Sequence, residues 1–144
     1  VGIRVSREIA APARRVWELL ADWERQGEWM PVTTVRALPG QREGVGTRIE
    51  AVTGLGPARV VDPMEVISWE PPRRCVTRHL GHMVRGTASF EVEPLGPDRC
   101  RFVWTEDLDP GRSAALRTAY GVLGQAVTPF FSLALWRLGR IAER

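Results

Sequence analysis

The stretch from Arg112 to Arg144 constrains this chain most. Leu116, Ala119, Tyr120, Leu123, Val127, Phe130, Phe131, Ala134, Leu138 and Ile141 recur at three- and four-residue steps. That spacing is the stripe of a long helix laid against an apolar partner. Beyond Pro129 the stripe widens, and Phe130 to Leu138 leaves almost no polar face. Such a segment needs cover from the rest of the chain or from a second protein, which makes a homodimer interface one reading. Pro129 lacks an N–H, so the spacing predicts a kink or two helices meeting there. The helix is then either plain core or the lid of a cavity, and what precedes it must decide.

What precedes it reads as strands. Val1, Ile3, Val5 and Ile9 alternate with Gly2, Arg4, Ser6 and Glu8, one apolar face of a first strand. Ala11-Pro12 opens a short helix with Ala13, Val16, Trp17 and Leu20 on its buried face. Asp22 to Met30 predicts a second short helix, stopped by Pro31. Six strands are then expected over Val32–Leu38, Thr47–Thr53, Arg59–Trp69, Arg74–Leu80, Val84–Val92 and Arg99–Leu108, separated by proline and glycine turns. Pro63 predicts a bend or an edge position. No crossover helix intervenes, so the strands form an antiparallel meander. The expected architecture is α+β: a curved seven-stranded antiparallel sheet wrapped around the long carboxy-terminal helix, with two short helices between strands one and two. An interior cavity is expected between sheet and helix.

Composition narrows the function classes. At 144 residues the chain is long enough for one domain, 1–144, with a full core. All 20 basic residues are arginine, and with no lysine, no side-chain amine can form a Schiff base with a carbonyl. The formal charge is +3, but the arginines are scattered, with no basic stripe for nucleic acid. Cys75 and Cys100 stand alone, so buried free thiols are expected and no metal site. Gln125 and Pro129 interrupt the longest apolar window, so no integral membrane segment is expected. With no apolar leader at the amino terminus, the expected location is cytoplasmic.

Two local patterns then carry a resemblance. Ile9-Ala-Ala-Pro12, Val16-Trp17-Glu18-Leu19-Leu20-Ala21-Asp22-Trp23 and Glu28-Trp29-Met30-Pro31 resemble the opening of the START / birch-pollen-allergen-like superfamily, also called SRPBCC. Gly44-Val45-Gly46-Thr47-Arg48 and Val66-Ile67-Ser68-Trp69-Glu70-Pro71-Pro72-Arg73-Arg74 resemble its bacterial polyketide cyclase/dehydrase-like branch. The resemblance implies a helix-grip fold with a deep apolar pocket. It also implies that members carry lipids, sterols, hormones or polyketides, and that some cyclise or dehydrate what they bind. Trp29 and Trp69, within those motifs, become pocket or pocket-mouth candidates.

Strand parity nominates the rest. Val84, Ala88 and Phe90 should point inward, with Phe102, Trp104 and Glu106 facing them from the next strand. Thr77 shares a face with His79, and Asp62 shares one with Met64 and Val66. Leu123, Val127 and Phe131 lie on the helix stripe. A histidine beside a carboxylate suits a general base, so His79 and Glu106 are acid/base candidates, with Tyr120 as a carbonyl donor. Arg48 is a candidate partner for an acidic or enolate oxygen. The plainer reading is that His79 and Glu106 only orient a ligand. The expected function is binding of a small hydrophobic molecule, aromatic or polyketide-like, without a cofactor. The enzymatic alternative is a polyketide aromatase/cyclase.

Overall fold

The computed structural model describes residues 2–82 and 84–144. Val1 and Met83 fall outside the described residues. Strand β1 (Gly2–Ile9) leads into helix α1 (Ala13–Ala21) and a 3-10 helix (Trp23–Glu28). The strands β2 (Thr33–Ala37), β3 (Arg48–Leu55), β4 (Ala58–Glu70), β5 (Arg74–His79), β6 (Gly86–Gly96) and β7 (Arg99–Leu108) follow. Helix α2 (Ala114–Ala142) ends the chain.

All seven strands form one antiparallel sheet in the order β1-β7-β6-β5-β4-β3-β2. Every step except β1 to β7 joins sequence neighbours, which is the meander that the turn spacing demands. Ile3 and Ile9 of one edge strand and Val35 of the other belong to a single core with Leu135 and Leu138 of α2. Ile3, Val35 and Phe131 of α2 also line one cavity, which a flat sheet with those strands at opposite edges could not arrange, so this one curls around the helix. Here is the helix-grip fold.

Local chemistry explains the details. The Pro12 carbonyl caps α1, accepting from the Arg15 and Val16 N–H groups, while Val16, Trp17, Leu19 and Leu20 turn inward. Val32 sits outside β2 because its backbone is left-handed, with φ 46°. Pro63 does not place β4 at an edge, since β3 and β5 flank it. It lies level with the end of β5, where its carbonyl accepts from Leu80 at 2.8 Å and no ladder bond needs its missing N–H.

A register shift between Val66 and Ser68 inserts one extra residue in β4. Beyond it the alternation is reversed, so Trp69 rather than Ser68 takes the concave face opposite Cys75. On the convex face arginines pair with glutamates across strands: Arg36 with Glu50, Arg78 with Glu65, Arg101 with Glu8 and Glu93. Such exposed pairs contribute about 0–1 kcal/mol each; they keep arginine on the outside.

Helix α2 runs unbroken through Pro129, so the two-helix alternative does not hold. The stripe inferred from sequence is buried only in its second half, at Phe131, Ala134, Leu135 and Leu138. Leu116 and Leu123 are 51% and 57% exposed. The reason is reach: Ile3, near the start of β1, already lies beneath Gly124, and the first turns of α2 project past the sheet. Leu133 and Trp136 also face outward, Trp136 beneath the Arg140 guanidinium.

Candidate functional site

Between the concave face and α2 lies a cavity of about 350 Å³. Its wall is mostly aliphatic and aromatic, which suits an apolar guest. Asp62, Met64, Thr77, His79, Val84, Ala88, Phe90, Trp104, Glu106, Val127 and Phe131 all line it. Strand parity brings these together because every second residue faces inward and the strands are neighbours.

The polar groups gather on one patch of wall. His79 Nδ1 lies 2.9 Å from Asp62 Oδ1, and His79 Nε2 lies 3.0 Å from Glu106 Oε2. Trp104 Nε1 donates to Glu106 Oε1 at 3.1 Å. His79 pairs in register with Met64, so Asp62 is its diagonal neighbour on β4. Glu106 is two strands away on β7. The intervening strand offers Gly86 opposite His79 and Ala88 opposite Glu106; with no bulky side chain there, imidazole and carboxylate meet across β6. Gly86 is also required by its backbone, at φ 110°.

The electrostatics of that chain are decided by its two carboxylates. Burial alone would lower the His79 pKa. The hydrogen bonds and negative charges of Asp62 and Glu106 outweigh it and lift the group to about 9. At neutral pH the ring is therefore an imidazolium that donates from both nitrogens. It is not the free general base that the sequence suggests. Cys75, also on the wall, is pushed up to about 12 by burial and is a neutral thiol.

Other candidates stand elsewhere. Arg48 is on the convex face, 3.8 Å from Glu65, one residue out of phase with inward Ile49. Leu123 is on the projecting, exposed part of α2, and Tyr120 on the same turns is not part of the wall. Val66 and Phe102 are fully buried beside the cavity rather than on it. Trp29 packs edge-on to Phe90, Phe102 and Trp104 and supports the wall from behind. Trp69 packs at tilted angles against Trp17 and Trp23, and the three line a second cleft.

The sequence reading missed one side of the cavity. Thr33 and Val35 of β2, Ile49, Ala51 and Thr53 of β3, and Trp23 and Met30 near the 3-10 helix line it too. The signal was present as two-residue alternation in both strands, but nothing reactive drew attention to it. Among the described residues, no group of three or more histidine, cysteine or acidic side chains is arranged to hold a metal ion. None of the described helices is long and apolar enough to cross a membrane.

A curled sheet gripping a helix over a lined cavity defines the helix-grip class of folds, and comparison with known proteins gives the family. The chain belongs to the family described as polyketide cyclase / dehydrase and lipid transport, whose model matches residues 1–143. No curated protein matches it in sequence. Among solved structures it is similar to the Zhui aromatase/cyclase from a Streptomyces species, with TM-score 0.82, 21% identity and coverage of 100% of this chain and 94% of the other. It is also similar to a START superfamily protein from Mycobacterium smegmatis, with TM-score 0.72, 16% identity and coverage of 97% and 98%. A third is norcoclaurine synthase from Thalictrum, with TM-score 0.73, 14% identity and coverage of 99% and 93%. At these identities the structural likeness shows the fold.

Proposed function

We propose that this protein binds a small, largely apolar molecule, aromatic or polyketide-like, in the cavity between sheet and α2, and needs no cofactor to do so. The observation that carries the reading is the cavity itself: about 350 Å³ of apolar space with Asp62, His79 and Glu106 gathered on one side. An apolar guest gains from leaving water, and the polar patch fixes which end goes where. Native mass spectrometry of freshly purified protein, followed by extraction, tests this. One apolar molecule per chain is the expected result. An empty protein that also ignores hydrophobic fluorescent probes overturns it.

The second reading, a polyketide aromatase/cyclase, is favoured by the Asp62–His79–Glu106 chain. In an aldol closure with dehydration, Asp62 would take a proton from a methylene beside a carbonyl. The enolate carbon would bond to a second carbonyl carbon, whose oxygen takes a proton from the His79–Glu106 pair to become a hydroxyl. Loss of a second proton from the same carbon to the now deprotonated pair, and return of the proton held by Asp62 to the hydroxyl, would expel it as water and leave the three groups as they began. Tyr120 takes no part in this scheme, lying off the cavity wall. If the reading holds, His79→Ala abolishes turnover of a cyclisable polyketide while ligand affinity survives. Equal loss of both assigns His79 to binding alone.

A further inference from the structure

The cavity reverses the charge of the molecule around it. The chain carries 20 arginines and a formal charge of +3, yet among the described residues no arginine lines the cavity. Its titratable groups are Asp62, His79, Glu106 and the neutral Cys75 thiol.

The charge of the first three follows from counting protons. Each imidazole nitrogen sits within 3.0 Å of a carboxylate oxygen, and each such contact requires one proton between the two atoms. Two protons are therefore shared among two carboxylates and one ring. Wherever each proton rests, on nitrogen or on oxygen, the three groups together carry one negative charge.

The side-chain donors on the cavity wall are already engaged, and the unpartnered Trp29 indole N–H belongs to a ring behind that wall. Trp104 Nε1 donates to Glu106 Oε1, Gln26 Nε2 to the Leu20 carbonyl, and the Thr77 hydroxyl to the Met64 sulfur. The Thr33 hydroxyl donates to the Pro31 carbonyl and the Trp23 indole to the Arg42 carbonyl. Glu106 has both oxygens occupied. Asp62 uses only Oδ1, toward His79, so Oδ2 is its open acceptor, on a side chain 17% exposed.

We infer that the cavity selects an apolar, ring-containing molecule bearing one protonated amine, which donates to Asp62 Oδ2, over a carboxylate of the same shape. The inference rests on the ligand-binding reading above and narrows its ligand class. An ammonium group neutralises the buried negative charge and meets the open acceptor. A carboxylate brings a second negative charge to a wall with no arginine, where low dielectric strengthens the repulsion.

The test uses one ring system with three head groups: naphthylmethylamine, naphthylmethanol and naphthoic acid. Each is titrated into the protein at neutral pH by calorimetry, with tryptophan fluorescence as a second readout. The amine should bind at least about tenfold more tightly than the acid, with the alcohol between them. Asp62→Asn should shrink that ratio to below about threefold. An acid that matches or beats the amine overturns the inference, as does an amine preference that survives Asp62→Asn. Binding of the alcohol with no amine preference removes this inference and leaves the binding reading intact. Binding of none of the three, in a protein empty on extraction, removes both. The wild-type ranking alone decides the matter if Asp62→Asn does not fold.

Discussion

Replacing His79 by glutamine should change how the stability of this protein depends on pH, and the size of the effect can be worked out from the site. In an unfolded chain the imidazole titrates near its ordinary 6.5; in the fold, Asp62 and Glu106 hold it protonated up to about 9. Below the lower value both states carry the proton, and the ion pairs stabilise the fold in full. Between the two values the folded protein holds one proton more than the unfolded chain. Raising the pH then lowers the unfolding free energy by about 1.4 kcal/mol per pH unit. Across the whole window the loss is roughly 3 kcal/mol, and above the upper value it is complete. The assay is urea unfolding of wild type and His79→Gln at several pH values from about 6 to about 9.5. Subtracting the two curves removes the titrations of groups away from the site. The difference should fall steadily as pH rises. Parallel curves would refute the reasoning, as would a folded-state NMR titration of His79 with its midpoint at or below about 7.

Two further substitutions probe the supports of the same patch. Gly86→Ala places a Cβ against the Asp107 carbonyl at a backbone φ of 110°; it should cost about 2–4 kcal/mol in chemical denaturation, where an unchanged midpoint would contradict the reading of that turn as glycine-dependent. Trp104→Phe removes the N–H that Glu106 Oε1 accepts and should cost about 1–3 kcal/mol by the same assay. A loss no larger than that of an ordinary surface substitution would mean the indole bond does not hold Glu106.

The sequence by itself determined the elements and most of their faces. Two-residue alternation put Ala88, Phe90, Trp104 and Glu106 on the inward side, and their burial or place on the cavity wall agrees. This is legible because alternation is a property of the local backbone and needs no knowledge of neighbours. The helical stripe on α2 was legible for the same reason, and the family's local motifs carried the fold.

Tertiary structure alone decided three things. It decided that α2 outruns the sheet, leaving Leu123 exposed, because periodicity says which residues share a face and not what lies beneath them. It decided that Trp69 turns inward, because one extra residue in β4 reverses every later side chain, and no composition marks the insertion. Above all, it decided the protonation of His79. The ring, Asp62 and Glu106 lie on three strands, and their meeting depends on strand order, register and the absence of bulk at Gly86 and Ala88. Sequence could nominate each of the three. Only the curled sheet places them within hydrogen-bond distance, where their charges set one another's chemistry.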